Sequence, residues 1–166
     1  MAGIDKSKTF VPVRIAVLTV SDTRTSADDK SGDTLVARLE AAGHRLAARN
    51  ILPDDRKAVA AQLAEWCRNS EIDVVISTGG TGLTGRDVTV EAHRDVYEKE
   101  IEAFGTVFTI VSMQKIGTSA VQSRATGGVA MGTYLFALAG RPGGCTDAWE
   151  GTLAPPPALR PRPAAP

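Results

Sequence analysis

The chain has 166 residues, 43% hydrophobic and 23% charged, the size and make-up of one globular domain that can bury a core without cross-links. Its 19 Lys and Arg balance its 19 Asp and Glu, so no overall field draws it to a polyanion. Nucleic acid and a charged lipid surface are thereby excluded as expected partners.

Residues 1–12 read as an N-terminal extension, with no apolar stretch of the kind that marks a secretory signal. No apolar run reaches membrane-spanning length, and a cytoplasmic location is expected. Val13 to Val20 (VRIAVLTV) is apolar and β-branched almost throughout, the pattern of a strand buried on both faces. Ser31 to Ala42 follows with Leu35, Val36 and Leu39 at helical spacing, Ser31 placed as a cap and Gly43 just past the end. His44 to Leu52 predicts a second strand, and Val59, Leu63, Trp66 and Cys67 fall on one face of a second helix.

Asp73 to Thr78 (DVVIST) predicts a third buried strand, running directly into Gly79-Gly80-Thr81-Gly82. Phe104, Val107, Phe108 and Val111 mark a further amphipathic helix, Thr133 to Ala139 a late strand, and Gly143 to Leu153 a closing helix. The domain is thus expected over residues 13–153, with the proline-rich residues 154–166 as a disordered tail. Strands separated by helices predict an α/β fold: a three-layer, doubly wound, mainly parallel sheet with helices on both faces.

In such sheets ligands bind beyond the carboxyl ends of the strands. Three polar segments lie there: Ser21-Asp22-Thr23-Arg24, Pro53-Asp54-Asp55, and Thr78 to Asp87 (TGGTGLTGRD). The glycines of the third either make a tight turn or let backbone N–H groups converge on an oxyanion, with hydroxyls from Thr78, Thr81 and Thr84 beside them. No GK[ST] follows the glycines, and the loop after the first strand lacks GxGxxG, so neither a P-loop nucleotidase nor a dinucleotide oxidoreductase is supported.

Asp54 and Asp87 stand at helix entrances, as caps or as two carboxylates sharing a Mg²⁺. Arg24, Arg86 and Arg124 are surface arginines or phosphate holders, and Ser123-Arg124 belongs to a small-residue stretch that serves packing or function. His44 and His93 have no companion ligand or nucleophile and read as surface or strand-edge residues. Cys67 and Cys145 sit in no metal-binding or disulfide spacing and read as buried or inert thiols.

The run STGGTGLTGRDVT, Ser77 to Thr89, closely resembles the signature of the molybdenum cofactor biosynthesis protein B (MoaB) family, related to molybdopterin adenylyltransferase (MogA). The resemblance extends over Val13 to Glu150, through Leu18-Thr19-Val20-Ser21-Asp22, Pro53-Asp54, Glu102-Ala103-Phe104-Gly105, Ile116-Gly117-Thr118-Ser119, Gln122-Ser123-Arg124 and Ala148-Trp149-Glu150. It implies a molybdopterin-binding-like domain that assembles as a homotrimer or homohexamer. It also implies a reaction in which AMP from Mg-ATP is joined to the terminal phosphate of molybdopterin.

On that resemblance, Asp54 and Asp87 match the aspartates that handle metal and nucleotide, and Gly79 to Gly82 match the loop that binds pterin or nucleotide. Ser21, Asp22, Thr78, Arg86, Ser123 and Arg124 complete the expected substrate and nucleotide contacts. One departure stands out: Ala139-Gly140-Arg141-Pro142-Gly143-Gly144 lacks the proline that opens this turn in the group and the lysine that often follows. A non-catalytic molybdopterin-binding or carrier protein is therefore the alternative expectation.

Overall fold

A computed structural model describes residues 9–154. The expected proline-rich tail, apart from Ala154, and the first eight residues of the N-terminal extension lie outside the described residues. The elements run β1 (Arg14–Val20), α1 (Lys30–Ala41), β2 (Arg45–Leu52), α2 (Arg56–Arg68), β3 (Val74–Thr78), α3 (Thr89–Val96), β4 (Lys99–Glu100), α4 (Glu102–Ile116), β5 (Thr126–Ala130), β6 (Thr133–Leu138) and α5 (Pro142–Ala148). A 3₁₀ turn, Gly117–Gln122, precedes β5, and a wide π-type turn, Trp149–Leu153, extends α5.

The strands form one six-stranded sheet in the order β2-β1-β3-β6-β5-β4. The first four are parallel; β5 runs antiparallel to β6 and β4 antiparallel to β5. Alternate residues serve opposite faces, as the pleat requires. Ile15, Val17, Val74, Ile76, Phe136 and Leu138 pack against α1, α4 and α5, while Ala16, Leu18, Val20, Val75 and Leu135 pack against α2 and α3. The expected α/β fold is therefore present, with helices on both faces of a mainly parallel sheet. No helix among the described residues is long and apolar enough to cross a membrane.

Several expectations need correction. Asp29, not Ser31, caps α1: its carboxylate accepts from the Gly32 N–H at 2.9 Å. The strand β5 (TGGVA) has little of the usual strand composition, and its glycines are there for packing. A Cβ at Gly128 would lie 2.5 Å from the Tyr97 ring, and one at Gly127 would lie 2.9 Å from the Phe136 ring. On α4, Phe104 and Phe108 are buried as expected, but Val107 is exposed, as are Ile110, Met113 and Ile116.

His93 is not on the surface. It is fully buried on α3, with Nε2 2.8 Å from Ser77 Oγ and Nδ1 3.2 Å from Tyr97 Oη. Ser77 is equally buried, so this Ser-His pair meets no substrate and serves as a satisfied polar link between α3 and β3. Burial pushes the imidazole pKa down from 6.5 to about 3. The unfolded chain then binds a proton that the folded chain refuses, and stability falls as pH drops below about 6.5. In denaturant unfolding from neutral to acid pH, His93→Gln is expected to lose this part of the slope.

Candidate functional site

The parallel strands end flush. Val20 pairs with Leu52, Thr19 with Thr78, and Thr78 with Leu138, so the carboxyl ends of β1, β2, β3 and β6 share one edge of the sheet. The chain leaves β1 toward β2 on one side and returns to β3 on the other, which makes this the switch point where the crossovers diverge and a crevice opens. A cleft of about 210 Å³ lies there.

Among the expected site residues, the cleft gathers Ser21, Asp54, Thr78, Gly79, Gly80 and Asp87. Asp22 and Arg86 lie beside it: Arg86 Nε and Nη2 donate to Asp22 Oδ2 at 3.0 and 2.5 Å. The other oxygen, Asp22 Oδ1, accepts from the Asp54 N–H at 3.0 Å, so one carboxylate ties together the loops after β1, β2 and β3. Thr81 and Gly82 continue the glycine loop. Ser123 and Arg124 do not reach the cleft; they line a separate depression between α3 and α4.

Backbone approach shapes the loop. Gly79 (φ +92°) packs so closely on the end of β1 that a Cβ there would fall on the Val20 carbonyl oxygen. Gly80 (φ +63°) lies beneath Asp54, whose Oδ1 would be 2.7 Å from an added Cβ. The N–H groups of Gly80 and Thr81 donate to no acceptor among the described residues. These are the donors that an oxyanion would take.

The threonine hydroxyls divide differently from expectation. Thr78 Oγ1 donates to the Ala139 carbonyl at 2.9 Å and Thr84 Oγ1 to Asp87 Oδ2 at 2.6 Å, so both hydroxyl protons are already committed within the protein. Sequence reasoning also missed Thr19, Ser31 and Gly140, which line the cleft. Thr19 is legible as a polar residue in an apolar strand; its hydroxyl donates to the buried carboxylate of Asp29 at 2.7 Å. Gly140, in the departing turn, accepts from Ser31 Oγ at 3.0 Å and approaches Gly79.

Neither candidate aspartate is a helix cap: Asp55 caps α2, and α3 has no side-chain cap. Asp87 accepts from the Thr84 hydroxyl and N–H, which hold its pKa below the usual carboxylate range. Asp22 is also held low, by Arg86. Asp54 is the exception. Half-buried, it has its pKa pushed up by burial and by the charges of Asp22 and Asp87, against which the Asp22 N–H and the Arg86 charge act only in part. A carboxylate so incompletely compensated, in a cleft whose loop has free N–H groups, is suited to a cation that arrives with an anion.

Comparison with known proteins agrees with the geometry. A model of the probable molybdopterin binding domain matches residues 16–160. Molybdenum cofactor biosynthesis protein B of Escherichia coli (strain K12) is 43% identical over 157 residues, covering 95% of this chain and 92% of that protein. The chain belongs to the MoaB family. A crystal structure of a molybdenum cofactor biosynthesis protein B superposes with a TM-score of 0.86 at 37% identity, covering 89% of this chain and 92% of that one. The tungsten cofactor synthesizing MoaB from Pyrococcus furiosus gives 0.76 at 33%, covering 86% and 91%. A role in molybdenum cofactor biosynthesis follows for this MoaB-family chain.

The raised pKa of Asp54 carries a stability consequence. The folded protein holds that proton to higher pH than the unfolded chain, so the ionised carboxylate weakens folding once pH passes the carboxylate range. Asp54→Asn is expected to raise Tm at about pH 7 by roughly 1–3 °C, under about 1 kcal/mol after solvent screening. Thermal melts at about pH 3, where the native carboxylate is protonated, are expected to show no such gain.

Proposed function

We propose that this MoaB-family chain binds molybdopterin and joins AMP from Mg-ATP to its terminal phosphate, releasing pyrophosphate. The observation that carries the reading is Asp54, a carboxylate with no cationic partner in hydrogen-bond contact among the described residues and its pKa pushed up, set against Gly80 of a loop whose Gly80 and Thr81 amides are free. The donor set fits Mg²⁺, which takes hard oxygen ligands and uses one or two carboxylates. Asp54 and Asp87 would hold it, and when bound it neutralises the charge of the converging phosphates.

The chain's own groups do the rest. The Gly80 and Thr81 N–H groups bind phosphate oxygen as its charge grows, when a terminal phosphate oxygen of molybdopterin attacks the α-phosphorus of ATP. A new P–O bond forms while the bond from the α-phosphorus to the bridging oxygen breaks and pyrophosphate leaves. Thr84 keeps Asp87 ionised, and Arg24 in the cleft wall adds positive charge, with Arg86 at the rim. The substrates are a pterin and a nucleotide, handled in the cytoplasm without nucleic acid or membrane.

Purified protein incubated with molybdopterin and labelled ATP is expected to yield adenylylated pterin and pyrophosphate only when Mg²⁺ is present. Asp54→Asn and Asp87→Asn are each expected to lower kcat by roughly 100-fold or more. Unaltered turnover in both variants would sink the assignment of the carboxylates. Pterin binding without AMP transfer by the wild-type protein would assign a carrier role instead, the alternative suggested by Ala139-Gly140-Arg141, and no pterin binding with or without Mg-ATP would defeat both.

We further propose assembly as a homotrimer or homohexamer through α4. Val107, Ile110, Met113 and Ile116 are 42–53% exposed on this helix, and Val121 just beyond it is 79% exposed, an apolar surface of the kind that marks an interface. Ile110→Glu is expected to shift the protein to monomer in sedimentation velocity. A monomeric wild-type protein would overturn the proposal.

A further inference from the structure

All four carbonyl groups of the glycine loop have named donors. Thr89 Oγ1 donates to Gly79 O at 2.7 Å, and the Thr89 N–H donates to Gly80 O at 2.9 Å. Arg124 Nε donates to Thr81 O and Gly82 O, both at 3.0 Å. The guanidinium is in turn held by Glu91 of α3, with Nη1 2.5 Å from Oε1 and Nη2 3.4 Å from Oε2. Arg124 thus grips the loop from outside the cleft, its charge already balanced by a carboxylate.

The grip reaches the site through the backbone. Asp87 rests on Gly82 so closely that a Cβ there would lie 2.8 Å from Asp87 Oδ2. A shift of the Thr81–Gly82 peptide would therefore move the seat of Asp87 and re-aim the free amides of Gly80 and Thr81. One guanidinium can hold two carbonyls with Nε while its two Nη groups face a carboxylate; a lysine ammonium, a point charge at the end of a flexible stem, cannot reproduce that planar fork.

We propose that Arg124, anchored by Glu91, is a positioning residue: it fixes the glycine loop in its anion-binding form and does not itself touch the phosphorylated ligand. The activity arm of the test rests on the adenylyltransferase reading; the backbone arm does not.

The experiment uses full-length protein as wild type, Arg124→Lys, Arg124→Gln and the milder Glu91→Gln. Amide hydrogen exchange is followed at Gly82, Thr84 and Thr89, whose N–H groups donate to Asp87, Asp87 and the Gly80 carbonyl, against the β1 and β3 amides, with steady-state AMP transfer measured alongside. Glu91→Gln is expected to speed exchange in the loop by roughly tenfold while the strands stay protected. Both Arg124 variants are expected to lower kcat roughly 10- to 100-fold while KM for ATP and pterin changes less than about threefold, and the charge-conserving lysine does not rescue.

A rise in KM with kcat retained, partly rescued by Arg124→Lys, would show direct ligand contact and overturn the proposal. Loop exchange unchanged in Glu91→Gln and Arg124→Lys would overturn it as well. If the wild-type protein transfers no AMP, the adenylyltransferase reading fails, and the exchange result alone decides whether Arg124 positions the loop.

Discussion

Two parallel strands that end side by side, β1 and β3, govern what can be built beyond them. Their loops touch backbone to backbone where Gly79 packs on the Val20 carbonyl, a contact no side chain at position 79 would permit. Because that contact draws the glycine loop over the end of β1, Asp54 from the neighbouring loop lies over Gly80 and Asp87 from the far end of the same loop lines the same cleft. A sheet of another order would separate these groups. The site is thus a consequence of topology before it is a consequence of any one residue.

The electrostatics follow from how unevenly the three acidic residues are satisfied. Asp22 has Arg86 and the Asp54 N–H, and Asp87 has the Thr84 hydroxyl and amide. Asp54 has burial and two like charges, which outweigh the Asp22 N–H and the charge of Arg86. Folding alone would favour a neutral side chain at position 54, whereas a cation-binding reading gives the ionised one a purpose.

What was legible in the sequence follows physical lines. Strands buried on both faces leave a continuous apolar run, so β1 and β3 were plain. β5 was not, because its two glycines are fitted beneath Tyr97, Phe104 and Phe136, and that need appears only in three dimensions. Tandem aspartates after β2 gave no sign that Asp55 takes the capping role and frees Asp54. His93 reads as a polar surface residue until Ser77 and Tyr97 are seen to satisfy it. Arg124 meets carbonyls 42 and 43 residues away in the chain, a pairing that no local pattern encodes.

The approach of Gly140 to Gly79 has a consequence for how this fold can vary. A Cβ at position 140 would come within 2.8 Å of the Gly79 α-carbon, so the two glycines form one close backbone contact shared by the loops after the third and the last strands. The neighbouring turn residue Arg141 points to solvent and is free of that restraint. Position 141 is therefore open to ordinary point substitution, whereas the wall at 79 and 140 changes only by simultaneous rebuilding of both loops.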